Sequence, residues 1–236
     1  LTMKNRMDSI VIATIKEWNI ENYFKLKEKY GHEFNFHLIS NSEALTEEFI
    51  QKINPNYIFF LHWSWIIPKN IHNNFNCILF HMTDLPYGRG GSPLQNLIMN
   101  KVYKTKISAI KVSENIDSGD VYLKEDLDIS TGSAQDIFKK SSQITFEKMI
   151  PKFLSSKLSA KEQSGEIVTF KRRTPDQSSI EIVKDLSLNS LYDFIRMLDG
   201  EGYPKAYIEI ENIKIEFSQV DKTDTQLSGK FEVKVQ

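Results

Sequence analysis

The sequence predicts an α/β protein: a mostly parallel sheet with helices on both faces, an antiparallel hairpin, and a small C-terminal α+β region. Three observations carry this. Short apolar, β-rich runs alternate with helical periodicity through the first 100 residues, the pattern of parallel strands joined by helices. Two β runs then follow with too little chain between them for a crossover helix, so they pair antiparallel. Beyond residue 166 the order becomes strand, helix and three β runs.

Each element has its own signal. Residues 9–14 are a continuous apolar run, read as a buried strand. Ile20, Tyr23, Phe24 and Leu26 place a helix over 20–30, and Phe34–Ile39 is a second strand. Leu45, Phe49 and Ile53 recur every four residues in a helix over 43–53, which Asn54-Pro55 stops. Tyr57–Leu61 and Cys77–Phe80 are the third and fourth strands, with a short helix opening at Pro68 between them. Ser92-Pro93 supplies an N-cap and a proline in the first turn of a helix. Lys106–Val112 and Val121–Leu127 form the hairpin. Ser133 and Asp136 make a capping box for a long helix carrying Ile137, Ile144, Phe146, Met149 and Phe153. Ser155–Gly165 is polar and rich in Ser and Lys, and reads as a linker. A helix over 188–198 and β runs at 206–210, 213–217 and 231–235 complete the chain.

At 236 residues the chain is long enough for one full domain, expected over 1–160, and a small region over 166–236 that packs on it. The single Cys77 excludes a disulfide scaffold and a cysteine-based zinc site. No pair among the five His has metal-binding helical spacing, so no metal is expected. Thirty basic and 31 acidic residues give a net charge of −1, which argues against a nucleic-acid partner. Leu1–Asp8 lacks the apolar core of a signal peptide, and no apolar run approaches the roughly 20 residues of a membrane span. The expectation is a soluble cytoplasmic protein without a membrane partner.

In an open α/β sheet, ligands bind beyond the carboxyl ends of the strands. His81 ends the fourth strand, and a loop holding Gly88, Gly90 and Gly91 leads from it to the helix at Ser92. Glycines admit close backbone approach, and a helix start favours an anion. Arg89 adds bidentate donors. Alone, the stretch reads equally well as a tight turn with a surface His. Asn115–Asp120 alone reads as an ordinary hairpin turn. Together, His81 and Asp117 offer a general base with an orienting partner, suited to attack on a carbonyl. His62 ends the third strand beside Trp63, Ser64 and Trp65, where packing is the favoured reading. Lys171-Arg172-Arg173 is brief and lacks interleaved aromatics, so it reads as a solvated face.

His81-x-Thr83-x-Leu85-Pro86, Arg89-Gly90-x-x-Pro93-x-Gln95 and Asp117-x-Gly119-Asp120 follow one another in an order and spacing that resembles the 10-formyltetrahydrofolate-dependent formyltransferases. The phrases HWSW, FHMTDLP and GRGGSPLQNL are most similar to sugar N-formyltransferases of the pseudaminic-acid type. Ile66-Ile67-Pro68 resembles the family's pterin-side loop, and Gly202–Tyr207 the start of its C-terminal β region. The resemblance implies a Rossmann-like fold and N10-formyltetrahydrofolate as donor. It implies transfer to the amine of a nucleotide-linked amino sugar, in carbohydrate biosynthesis; methionyl-tRNA formylation and a catalytically inactive folate- or sugar-binding module are the alternatives. His81 and Asp117 take the catalytic positions. Ile67, Thr83, Leu85, Pro86, Ser118, Gly119 and Asp120 fall on the donor side, and Arg89, Gly90, Gly91, Ser92 and Gln95 on the acceptor side. The family's Asn two residues before the His is Leu79 here. His62 is the candidate to supply the missing polar support, because neighbouring strand ends lie about 4.8 Å apart. A homodimer interface or a substrate wall is expected around Trp18-Asn19 or on the tail.

Overall fold

The computed structural model describes residues 7–235, so the Leu1–Asp8 segment read for a leader lies almost wholly outside the described residues. The first half runs β1 (Asp8–Ala13), α1 (Glu17–Tyr30), β2 (Phe34–Ile39), α2 (Glu47–Ile53), β3 (Tyr57–Phe60), α3 (Lys69–His72) and β4 (Cys77–His81). These four strands pair in parallel in the order β2-β1-β3-β4. From Ile10 to Ala13 β1 is apolar because both its faces are covered. Ile10 and Ile12 join one core cluster with Trp18, Tyr23 and Leu26 of α1, and Val11 and Ala13 join another with Ile50 and Ile53 of α2. Thr46 caps α2 by accepting the Phe49 N–H at 3.2 Å, which starts that helix later than its apolar spacing suggests.

The chain continues through β5 (Tyr87–Gly90), α4 (Pro93–Met99), β6 (Lys104–Lys111) and β7 (Val121–Asp128). β6 lies antiparallel to β4, and β7 antiparallel to β6, completing a six-stranded sheet with the expected hairpin at its edge. α5 (Ala134–Ile144) opens on the Ser133–Asp136 capping box, passes through a π-helical turn (Thr145–Met149) and resumes as α6 (Ile150–Ser155).

Two features depart from expectation. The strand expected after residue 166, β8 (Val168–Phe170), pairs in parallel with the unexpected β5 in a separate two-stranded ribbon. The segment expected to be a linker is tied down: Lys161 and Val121 exchange backbone hydrogen bonds at 2.9 and 2.7 Å. Satisfying backbone groups in this way explains how so polar a stretch is ordered.

The chain ends with α7 (Leu188–Leu198) and an antiparallel sheet of β9 (Ala206–Ile210), β10 (Ile213–Lys222) and β11 (Leu227–Val235). Phe194, Ile195, Met197, Leu198 and Ala206 belong to the same core cluster as Ile10 and Ile12, so this region shares the core of the first half. Arg196 is buried within that contact. Its Nε bonds Asp193 at 2.7 Å, and Nη1 bonds the carbonyls of Ile129 and Gly132 at 3.0 Å. Among the described residues, no helix is long and apolar enough to cross a membrane.

Candidate active site

β4 delivers His81 to its carboxyl end, with only 9% of the side chain exposed. The loop after it folds back under the ring. Ser108, the partner of His81 across the β4–β6 ladder, donates through Oγ to Thr83 O at 2.7 Å and accepts from Leu85 N–H at 3.3 Å. Gly88 O then lies 2.8 Å from His81 Nε2 and 3.2 Å from Thr83 Oγ1. A carbonyl can only accept, so Nε2 carries a proton. In the neutral ring, Nδ1 is therefore a lone pair.

That lone pair faces Asp117 Oδ2 at 3.6 Å, and the Asp117 side chain is 7% exposed. The same oxygen accepts the Gly90 N–H at 2.8 Å. Asp117 sits at φ 52°, a left-handed conformation that Asp tolerates better than most residues. Two residues on, a Cβ on Gly119 would lie 1.7 Å from Lys111 O, so the turn rests directly on the β6 backbone. Nδ1 and the Asp117 carboxylate thus face each other. A proton arriving at Nδ1 turns the pair into an imidazolium and carboxylate, with Nε2–H still held by Gly88. The geometry is that of a base waiting for one proton.

Gln163 binds the two loops together. Its Nε2 donates to the carbonyls of Asp117 and Gly119, both at 2.8 Å, and its Oε1 accepts from Arg89 Nε and Nη2 at 3.1 and 2.8 Å. It lies within the stretch taken for a linker, and a lone Gln in a polar run gives no pattern to find.

The remaining expected residues divide. Leu85 is buried, and Lys124 Nζ donates to its carbonyl and to Asp84 Oδ1, both at 2.5 Å. Pro86 is buried, and its carbonyl accepts the Val168 N–H at 3.3 Å. Ser118 Oγ donates to Asn115 O at 3.0 Å, while Asp120 is exposed. Ile67 packs on the second core cluster beside Trp63, and the adjacent Ile66 is 94% exposed. Gly91 O accepts from Asn96 Nδ2, and Ser92 Oγ accepts the Arg173 N–H, each at 3.0 Å. Gln95 is sealed inside: its Nε2 donates to Met197 O at 3.0 Å, so it holds α4 against α7.

His62 is placed differently from His81. At φ 49° it breaks the alternation of β3 and turns its ring edge-on to Trp18 and Phe138, at centroid distances of 5.7 and 5.1 Å. Its Nδ1 accepts from Asn19 Nδ2 at 3.2 Å, and neither His81 nor Asp117 is among its partners. Burial, with a smaller push from Lys16, lowers its pKa to about 4. Protonation is therefore disfavoured in the fold relative to the unfolded chain, where the pKa is 6.5. The stability this lends is present above pH 6.5 and lost as pH falls toward 4. Unfolding by urea should show a loss of about 2 kcal/mol between about pH 7.5 and about pH 5, from this group alone. His62→Asn should remove that component, and an identical pH dependence in the variant would refute it. Burial also pushes the Cys77 thiol up to about 12, so it is no nucleophile.

Comparison with known proteins decides the family. A solved structure named methionyl-tRNA formyltransferase, from Clostridium thermocellum, is 48% identical with a TM-score of 0.94, covering 98% of this chain and 100% of that one. The chain belongs to the formyltransferase family. This family uses N10-formyltetrahydrofolate as its formyl donor. Residues 175–234 match the model of the methionyl-tRNA formyltransferase C-terminal domain. A curated methionyl-tRNA formyltransferase from Rickettsia bellii (strain RML369-C) is 29% identical over 136 residues, covering 56% of this chain and 44% of that protein. The chain thus spans about half the length of the curated relatives it matches. A sugar N-formyltransferase from Shewanella sp. FDAARGOS_354 has a TM-score of 0.69 at 15% identity, over 87% of this chain and 94% of that one, and shares the fold alone.

These findings correct the acceptor read from the sequence. The nucleotide-linked amino sugar, the place in carbohydrate biosynthesis and the exclusion of nucleic acid all give way, because the formyltransferases at substantial identity are named for methionyl-tRNA. The sequence-level error has two causes. Short loop phrases suggested a branch, and a chain-wide net charge was used where only the local charge at a binding surface matters.

Proposed function

We propose that this chain transfers the formyl group of N10-formyltetrahydrofolate to the amine of methionyl-tRNA, in the compartment that holds charged tRNA, the cytoplasm. The observation that carries the chemistry is the buried His81–Asp117 pair with the Nδ1 lone pair turned toward the carboxylate.

The donor supplies a formyl carbon already activated by its attachment to N10. His81 Nδ1, backed by Asp117, takes the proton that the acceptor amine loses as it bonds to that carbon. The resulting Nδ1–H is a donor for the negative oxygen, a contribution of about 3 kcal/mol for such groups. His81 then returns the proton to the departing nitrogen as its bond to the formyl carbon breaks. Leu79 packs into the second core cluster and offers no hydrogen bond, so the protonated ring is the side-chain donor in this scheme. In this reading Asp117 is the orienting carboxylate, and His62 acts through packing, holding the start of the loop that leads to Ile67.

The pterin side fits an aromatic, hydrogen-bonding group. Ile66 and Ile116, 94% and 76% exposed, stand on the loops after β3 and after β6 as uncovered apolar faces. We assign Ile67, Thr83, Leu85, Pro86, Ser118, Gly119 and Asp120 to the walls of the donor site, and Arg89, Gly90, Gly91 and Ser92 to the acceptor side.

The test is incubation of the protein with N10-formyltetrahydrofolate and methionyl-tRNA, followed by mass spectrometry of the released amino acid. Formylmethionine is expected. Methionyl-tRNA left unmodified by the folded protein would overturn the reading.

A further inference from the structure

We propose that β11 pairs edge to edge with β11 of a second copy of this chain, in an antiparallel register centred on Phe231, so that the two C-terminal sheets join into one across a two-fold axis.

β11 is the outer strand of its sheet and pairs with β10 on one side only. It is nine residues long, and every residue from Ser228 to Val235 is exposed. Beyond its ladder with β10 it buries almost nothing. A free edge presents unpaired N–H and C=O groups, and natural sheets shorten such edges, cover them or interrupt them with proline. β11 contains no proline, and among the described residues no other strand pairs with its outer edge. Strand alternation sets Phe231, Val233 and Val235 on one face, opposite Phe217, Ile215 and Ile213 of β10. Phe231 is 67% and Val235 76% exposed, so this apolar face runs uncovered to the edge of the sheet. The other face carries Lys230, Glu232 and Lys234.

The occupant follows from the order of these residues, which is complementary to itself. An antiparallel register centred on Phe231 sets Lys230 against the partner's Glu232 and Glu232 against the partner's Lys230, two ion pairs by symmetry. It sets Leu227 against the partner's Val235 and Gly229 against the partner's Val233, and Phe231 meets the partner's Phe231 at the axis. The whole strand is used, apolar residues share one face, and no like charges stand opposite each other. The alternatives are worse. Centring on Glu232 sets that carboxylate against itself and Lys230 against the partner's Lys234. A slip of one residue sets apolar side chains against charged ones. Centring on Val233 keeps the matches but leaves Leu227–Lys230 without a partner strand. Within its own chain Glu232 stands 3.7 Å from both Lys205 and Lys234, longer than a hydrogen bond, so it is open to a closer cation. Each copy spends the same edge, so the contact closes as a dimer.

Sedimentation equilibrium of the full chain over a range of concentration tests this. The wild type should form a dimer that dissociates on dilution. Lys230→Glu sets a carboxylate against the partner's Glu232 twice, and should raise the dimer Kd at least about tenfold with an unchanged circular dichroism spectrum. Lys230→Glu/Glu232→Lys restores opposite charges in reversed order, and should bring Kd back to within about threefold of the wild type. Phe231→Cys should form a disulfide-linked dimer under mild oxidation, because the axis brings the two Cβ atoms together. Lys234→Cys, placed opposite the partner's Ser228, should not. The only native thiol, Cys77, is buried, so the wild type supplies a clean control. A wild type that stays monomeric at every concentration, a double variant no tighter than Lys230→Glu, or cross-linking through Lys234→Cys in preference to Phe231→Cys would overturn the proposal.

Discussion

Replacing Asp117 with Asn is expected to lower formyl transfer at least about a hundredfold with the fold intact. Asn has the shape of Asp, and its Oδ1 can still accept the Gly90 N–H that Asp117 accepts at 2.8 Å. That same oxygen is the one 3.6 Å from His81 Nδ1, so an Asn that keeps the Gly90 bond presents a neutral amide oxygen to the ring in place of a carboxylate. A neutral oxygen offers far less stabilisation to the imidazolium that forms when Nδ1 takes a proton. The substitution thus weakens the base while keeping the packing, so turnover should fall far more than stability. His81→Ala removes the same function from the other side and should fall comparably. Because the two act as a unit, the double variant should be little slower than the worse single one. Single-turnover rates by mass spectrometry, with melting temperatures by circular dichroism, check this. A loss of only a few fold in folded Asp117→Asn would remove the pair from the reaction.

Where residues carry a period or a cap, the sequence foretells the structure closely. β2 spans 34–39 and α7 spans 188–198, as the apolar spacing predicts, and the Ser133–Asp136 box caps α5. The His81 and Asp117 motifs do converge, although β6 runs antiparallel to β4 and ends beside Ile78, so it is the β6–β7 turn that brings Asp117 to the ring. The parts that stayed hidden have no period. β5 is four residues long and half glycine, so it shows no alternation, and its pairing with the expected strand at β8 has no local signal. Gln163 acts through its amide alone, from a stretch whose composition suggests a linker. His62 was expected beside His81 by strand register, and a single left-handed residue turned it into the α1–α5 aromatic layer instead. Register arguments end where φ changes sign.

Gly119→Ala is expected to be the most damaging change of a single methyl group in the site. The Cβ position lies 1.7 Å from Lys111 O and 2.9 Å from Lys111 C, both main-chain atoms of β6 that cannot rotate aside. Lys111 is also held there, since its N–H donates to Asp120 O at 2.9 Å and it pairs with Ile78 of β4. The turn must therefore lift off the sheet. Overpacking of this kind costs about 1–3 kcal/mol, and here it also breaks specific bonds. Gln163 Nε2 grips the carbonyls of Gly119 and Asp117, so a lifted turn loses both at once. Asp117 moves with it and leaves the Gly90 N–H and the His81 ring. A displacement of about 1 Å at a reacting group is enough to lose about a hundredfold in rate. Gly119→Ala should thus lower the melting temperature and, in the fraction still folded, reduce single-turnover formylation about as much as Asp117→Asn does. Gln163→Ala, which releases the turn without a clash, should fall between the wild type and Gly119→Ala in both measurements. Normal turnover and stability in Gly119→Ala would mean that the turn is free to shift, and that the position of Asp117 is not set by its contact with β6.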